Sequence, residues 1–281
     1  MKAGIIGLGA MGVGMAQNLL KQGYLTAAYN RSPDKLAGLD VIACATPQVL
    51  AGQVDVIFIC VSADRDVLEM VSAIAATVRP GAVVVDMSTV SSATAIQAAS
   101  LLWQRQVEFL DAPVSGGVEG AAQGRLSMMV GGKPEVLERV RPMLAAMAAR
   151  IEHMGEVGQG QACKAANQIM VAGINQAVTQ ALAFAAAQGL EMDKVIEVLG
   201  GGAAANWFLQ HRGKTMTQHS FKPGFKVALH HKDLLICQQM AAQLELPCPL
   251  VEDTLLDYAE LMAQGFGDED ISALFRLKWT K

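Results

Sequence analysis

The chain has 281 residues, 52% of them hydrophobic and 17% charged, which gives ample apolar material for one large or two medium cores and excludes a disordered chain. Its formal net charge of -4 leaves no basic excess to hold a phosphate backbone, so nucleic acid is not an expected partner. The five cysteines, Cys44, Cys60, Cys163, Cys237 and Cys248, are odd in number, widely spaced and without a C-x-x-C pair, which speaks against a disulfide framework or a zinc site and for a reducing cytoplasm. Met1-Lys2 runs straight into Ala3-Gly4-Ile5-Ile6 with no apolar segment of signal-peptide length, which adds to the cytoplasmic expectation.

The first half alternates short apolar runs with helical patterns, the signature of strands joined by crossover helices into a parallel sheet. Lys2 to Ile6, Leu25 to Tyr29, Val54 to Cys60 and Ala82 to Asp86 are the predicted strands, and Met11 to Gln22, Pro47 to Ala51 and Asp64 to Val78 the helices or helical turns between them. Val107 to Leu110 and Leu126 to Val130 are two more strands around a glycine-rich connection, and the sheet closes near Arg150 to His153. After Gly160, Ala, Gln, Met and Leu replace the β-branched runs. The expected fold is an α/β doubly wound sheet over residues 1–158 followed by an all-α domain over 159–281.

The first helix of that second domain, about Gln159 to Gln188, would be roughly 45 Å long at about 1.5 Å per residue. So long a helix must be covered on most sides, and a partner subunit, in a homodimer or homotetramer, is expected to help cover it. Ala165 to Leu190 carries no charged side chain and is long enough to span a bilayer. However, Asn167, Gln168, Asn175, Gln176, Thr179, Gln180 and Gln188 interrupt it, so a buried soluble helix is expected and no membrane partner.

Gly7-Leu8-Gly9-Ala10-Met11-Gly12 follows a predicted strand and opens a predicted helix, the context in which G-x-G-x-x-G signals a dinucleotide. Gly7 allows the tight turn, Gly9 lets the backbone approach a pyrophosphate, and Gly12 lets helix and strand pack closely, with the phosphates at the helix N-terminus. An NAD enzyme would place an acid at the end of the second strand, where this chain has Asn30-Arg31-Ser32. With no carboxylate to repel it, a 2′-phosphate would meet the forked donors of Arg31, with Ser32 as a further donor. NADP(H) is therefore preferred and NAD(H) possible; the alternative for Arg31 is a solvated turn residue. Asp34, past Pro33, is expected to cap the next helix.

Asp111-Ala112-Pro113-Val114-Ser115-Gly116-Gly117 follows a strand, and the Gly116 and Gly117 N–H groups beside the Ser115 hydroxyl would seat a small carboxylate, unless the segment is an ordinary turn. Lys164 is the only charged side chain from Gln159 to Leu190. Near the start of a helix it opposes the dipole, so stability gives little reason for it. Burial lowers an amine from about 10.4 toward the range of about 7 to 8 that suits proton transfer, the competing reading being a snorkelling lysine. Asn167 and Gln168 share its helix face and are placed to fix the amine and a substrate oxygen. His230 and His231 are adjacent and diverge on a helix, so no metal is expected. Asn206-Trp207-Phe208 and His211-Arg212 read either as cleft lining or as ordinary helix packing.

Together GLGAMG with GMAQNLLKQGY, DMSTV at Asp86 to Val90, DAPVSGG, GQGQACKAANQ, and FKPGFKVALHHKDL at Phe221 to Leu234 resemble the β-hydroxyacid dehydrogenase family, in order and over nearly the whole chain. The resemblance implies a Rossmann domain followed by an all-α domain, with the active site in the cleft between them. It implies Lys164 as the catalytic lysine, Ser115, Gly116 and Gly117 as the carboxylate-binding segment, and Lys232 as a lysine near the nicotinamide. Thr89, Phe225 and the Val61-Ser62 turn match cofactor contacts.

Two positions depart from the family pattern. Gly14 stands where many members have Pro and is expected to loosen that helix's first turn. Gln168 stands where many have Asn, with Asn167 one position earlier, which leaves open the amide that touches substrate. The activity implied is NADP(H)-dependent interconversion of a small β-hydroxy acid and its semialdehyde. FKPGF followed by HHKDL is most similar to members that reduce tartronate semialdehyde, with glyoxylate, succinic semialdehyde and 3-hydroxyisobutyrate as alternatives. Lys164 argues against imine reduction on the same scaffold, and the intact Ser115, Lys164 and glycine loop argue against a non-catalytic cofactor-binding protein.

Overall fold

In the computed structural model, which describes residues 1–279, strand β1 (Ala3–Ile6) leads through the glycine loop into α1 (Ala10–Lys21). The chain continues through β2 (Leu25–Tyr29), a 3-10 turn (Pro33–Leu36), β3 (Ile42–Ala43), α2 (Pro47–Ala51), β4 (Val56–Ile59), α3 (Asp64–Ile74), β5 (Val83–Asp86) and α4 (Ser92–Trp103). There follow β6 (Glu108–Asp111), β7 (Val114–Ser115), α5 (Gly117–Gln123), β8 (Leu126–Gly131), α6 (Pro134–Leu144) and β9 (Ala148–Gly155). The sheet order is β3-β2-β1-β4-β5-β6-β8-β7, with β9 also on β8. Strands β3 to β6 along that order are parallel, and β8 runs antiparallel to β6 at Asp111 and Gly131.

β1, β4 and β5 are buried at every residue, as expected of central parallel strands covered on both faces. Alternate side chains serve two layers. Ile5, Phe58, Val83 and Val85 pack with Met15, Leu19 and Leu144 on one face, and Ile6, Ile57, Ile59 and Val84 with Val67, Val71 and Leu102 on the other. Because the chain leaves β1 toward β2 and then returns to β4 on its other side, the order reverses between β1 and β4, and a crevice opens at the strands' C-terminal ends there.

Helices α4 and α6 were not anticipated, and α3 stops at Ile74 rather than Val78. Asp34 caps no helix: it lies inside the 3-10 turn, whose N-cap position is Ser32, because Pro33 takes the first helical place. α1 is helical from Ala10 through Gly14. A Cβ there would lie 2.8 Å from the Ala121 and Ala122 backbone, and Asn18 Nδ2 donates to Ala121 O at 2.7 Å, so Gly14 is where α5 presses on α1.

Contacts divide the chain into one unit of Met1–Lys164 and a second beginning at Ala165. The division falls inside α7 (Gln159–Ala187) rather than at its start, because the first turn of that helix is bonded to β6. The second unit continues with α8 (Met192–Gly200), α9 (Trp207–Thr217), α10 (Val227–Gln243), α11 (Pro249–Ala263), a 3-10 turn (Ile271–Leu274) and α12 (Phe275–Lys278). Leu182, Phe208, Leu234, Tyr258 and Phe275 belong to its core. α7 is long and apolar enough to cross a membrane. Its amides are nevertheless used within the unit: Asn175 donates to Tyr258 Oη and Ile271 O, and Gln176 to Thr254 and Asp257, partners that lipid would not supply.

Candidate active site

The three glycines of the first loop have different reasons to be glycine. Gly7 has φ +98°, and a Cβ would run into the Cys60 carbonyl; a Cβ at Gly12 would run into the Gly7 carbonyl. Both are explained by the chain itself. At Gly9, φ is -71° and, among the described residues beyond its two chain neighbours, no atom lies within 4 Å of the Cβ position. Gly9 is also the N-cap of α1 and supplies no side-chain cap, so the open space lies against unmet N–H groups, as a phosphate requires. Gly9 and Ala10 are exposed, Met11 is half-buried, and Leu8 is buried, its N–H donating to Asn30 Oδ1 at 2.7 Å. Asn30 Nδ2 donates in turn to Ser32 O, so Asn30 holds the loop in shape.

Gly7, Gly9, Asn30, Arg31, Val61 and Ser62 line a crevice of about 360 Å³ together with Asp66 and Glu69 of α3. Arg31 Nη2 donates to Asp66 Oδ1 at 2.9 Å. The expectation that no carboxylate stands beside Arg31 is therefore wrong: the acid comes from α3 and not from the end of β2. Ser32 is exposed beside the pair.

Further along the sheet edge, a buried network ties the ends of β4, β5 and β6 to α7. Val61 N donates to Ser88 Oγ at 2.9 Å, and Ser88 N to Asp86 Oδ1 at 3.0 Å. Gln161, buried on α7, donates through Nε2 to Ser88 O at 2.8 Å and accepts through Oε1 from Val90 N at 3.2 Å, bracketing Thr89. Asp111 accepts from Gly158 N at 2.7 Å and Gln161 N at 2.9 Å. Burial pushes the Asp111 carboxyl up to about 6, against those N–H bonds, and pushes Asp86 up to about 7. Among the described residues Asp86 Oδ2 has no hydrogen-bond partner. Burial also pushes the Cys60 thiol up to about 12, which removes it as a nucleophile.

Asp111 thereby fixes where α7 begins, and Lys164 is buried one turn after Gln161. β7, just after Asp111, carries the half-buried Ser115. Gly116 (φ +132°) and Gly117 (φ +63°) follow in positive-φ torsions that favour glycine. The glycine loop, Asn30-Arg31, Val61-Ser62, Thr89, Ser115 and Lys164 all belong to the first unit. Asp86, Ser88, Asp111 and Gln161 lie in motifs named above but carry no role predicted from sequence, and Asp66 lies in none of them. The acids closing β5 and β6 were a usable signal, since a carboxyl ending a buried strand needs partners.

In the second unit, Gln168 is buried with both ends of its amide engaged: Nε2 donates to Asp233 Oδ2 at 2.7 Å and Oε1 accepts from Asn167 Nδ2 at 2.7 Å. Asn167 is the more accessible of the two. Lys232 pairs with Asp233 at 2.8 Å. The Phe225 ring lies 5.2 Å from that of His230, and its N–H donates to Asp270. His230 is buried, with Nδ1 3.0 Å from Tyr258 Oη, and among the described residues no His, Cys, Asp and Glu cluster is arranged for a metal. Asn206 caps α9 through Leu209 N and Phe208 is buried in the helical core, both ordinary packing roles. Trp207 stacks on His211 with ring centroids 4.3 Å apart.

The chain is similar to known oxidoreductases over nearly its whole length. Residues 2–155 match the family model described as the NAD binding domain of 6-phosphogluconate dehydrogenase. Residues 158–278 match the family model described as NAD-binding of NADP-dependent 3-hydroxyisobutyrate dehydrogenase. The 2-hydroxy-3-oxopropionate reductase of Escherichia coli is 38% identical over 98% of this chain and 96% of its own. The NAD-dependent L-serine dehydrogenase of Pseudomonas aeruginosa is 32% identical over 97% and 96%. Among solved structures, the Mycobacterium tuberculosis 3-hydroxyisobutyrate dehydrogenase with L-serine superposes with a TM-score of 0.90 at 30% identity, covering 98% of each chain.

Proposed function

Because the chain belongs to the 3-hydroxyisobutyrate dehydrogenase family of NAD(P)-dependent hydroxyacid dehydrogenases, we propose that it interconverts a small β-hydroxy acid and its semialdehyde. We take NADP(H) as the preferred cofactor and tartronate semialdehyde as the leading substrate. The observation that carries this reading is the pairing, in one compact unit, of an open phosphate cradle at Gly9 with a buried lysine whose helix is bonded to the strand end preceding Ser115.

Gly9 and the first turn of α1 would hold the pyrophosphate, Val61-Ser62 and Thr89 would contact the cofactor further along, and Arg31 with Ser32 would receive a 2′-phosphate. Bound there, a nicotinamide supplies or accepts the hydride. Ser115 Oγ and the Gly116 and Gly117 N–H groups bind the substrate carboxylate and so orient the carbonyl. In reduction Lys164 Nζ donates a proton to the substrate oxygen; in oxidation the neutral amine takes that proton back. Asn167, accessible where Gln168 is not, is the amide assigned to the substrate.

Tartronate semialdehyde leads because the E. coli relative is named for its reduction. The test is a panel of tartronate semialdehyde, glyoxylate, succinic semialdehyde and methylmalonate semialdehyde, each with NADPH and with NADH. Turnover of none overturns the reading, and a higher kcat/KM elsewhere moves the substrate. The same reading includes assembly, since α8 buries none of its residues and Phe184, Leu190 and Val198 are exposed; light scattering should give a dimer or tetramer. Five free cysteines suit a reducing, cytoplasmic location.

A further inference from the structure

Arg31 already has a partner before any phosphate reaches it, and the two members of that pair are held differently. The Arg31 side chain is 73% exposed and that of Asp66 18%, so the acid is the fixed member and the guanidinium the movable one. Asp66 is fixed because it lies in the first turn of α3, a helix anchored in the core through Val67, Met70 and Val71. Glu69, one turn further along, lines the same crevice. Two carboxylates therefore stand beside the one cation assigned to the adenosine ribose.

That arrangement treats the two cofactors unequally. A 2′-phosphate brings close to two negative charges and must draw the Arg31 fork toward itself in the field of Asp66 and Glu69. A 2′-hydroxyl brings no charge and donates readily to a carboxylate. We propose that Asp66 is a specificity-determining residue, which through its hold on Arg31 keeps NAD(H) usable and restrains the preference for NADP(H) below what Arg31 alone would give. The inference rests on the reading that this crevice holds the dinucleotide. It gives the acid absent from Asn30-Arg31-Ser32 a source on another element.

The test is Asp66→Asn, which removes the charge but keeps a side-chain oxygen able to accept from Arg31. Dissociation constants for NADPH and NADH are measured by nucleotide fluorescence, without turnover, at low and high ionic strength. NADPH should bind about three- to tenfold tighter to the variant at low salt while NADH does not gain, and the difference should shrink as salt screens an exposed pair. An NADPH to NADH ratio that moves by less than about twofold overturns the proposal. So does weaker NADPH binding, which would make Asp66 a support for Arg31. If neither nucleotide binds to the parent protein, the dinucleotide reading falls and this inference with it; nucleotides that bind with an unmoved ratio sink the inference alone.

Discussion

Replacing Gly9 with alanine should destroy nucleotide binding while leaving the fold intact. The torsions at Gly9, φ -71° and ψ -169°, are open to alanine, and among the described residues nothing beyond its two chain neighbours lies within 4 Å of the added methyl. Losing backbone freedom in the unfolded chain even stabilises such a variant by about 0.4 to 1 kcal/mol, a rise of a few degrees in Tm at most. Gly12→Ala is the contrasting variant, because its methyl would meet the Gly7 carbonyl in the chain's own backbone, at a cost of roughly 1 to 3 kcal/mol. A pyrophosphate lying against the Gly9 backbone would overlap the new methyl, and a loss of about 3 kcal/mol corresponds to more than about 100-fold in Kd. Thermal unfolding and NADPH titration of both variants separate the effects. Gly9→Ala binding within about threefold of the parent would refute the cradle, and a Tm several degrees lower would show that Gly9 serves the fold instead.

Lys164→Ala should bind NADPH within a few-fold of the parent yet lose at least about 100-fold in kcat, the usual scale of general acid-base catalysis; activity retained within about tenfold would remove Lys164 from the mechanism. Gln161→Ala leaves Ser88 O and Val90 N without their bonds, so it should lower stability by about 2 to 4 kcal/mol and raise the cofactor KM more than it lowers kcat, in urea melts and initial rates. Unchanged cofactor KM would show that Thr89 does not depend on that bracket. Asp86 rises from 3.8 to about 7 on folding, so between those values the native chain binds more protons than the unfolded one and stability falls as pH rises. The shift amounts to something on the order of 4 kcal/mol, so Asp86→Asn should flatten the decline in urea midpoint between pH 5 and 8, and an equally steep decline would contradict the buried-acid account.

The features legible in sequence are those whose cause is local or periodic. Val56–Ile59 and Val83–Asp86 read as strands because burial on both faces leaves an unbroken apolar run, and the glycine loop read as a nucleotide turn because its steric demands lie within a few residues. α4 offered little contrast between its faces, being rich in alanine, and α6 contains Pro142, which reads as a helix breaker. The partners of side chains were not legible. The carboxylate beside Arg31 sits 35 residues away in the sequence, out of reach of any reading of its neighbours. Gln168 shares a helix face with Lys164, and the partner of its amide, Asp233, lies 65 residues away.

Lys164 shows how such a distant partner changes a local argument. Near the N-terminus of α7 a cation opposes the helix dipole, and no acid in the helix's own first turn offsets it. The offset comes from β6: the Asp111 carboxylate accepts the N–H groups of Gly158 and Gln161, satisfying donors that the start of a helix leaves unmet and placing negative charge at that end. Burial raises that carboxyl only to about 6, so it is mostly ionised at neutral pH. Gln161, held by its N–H to the same carboxylate, then uses its side chain on the two peptides flanking Thr89. One buried acid at the end of a strand thus sets the starting point of the helix that carries Lys164 and braces the segment assigned to the cofactor, which gives the proposed proton donor and the proposed nucleotide contact a common support.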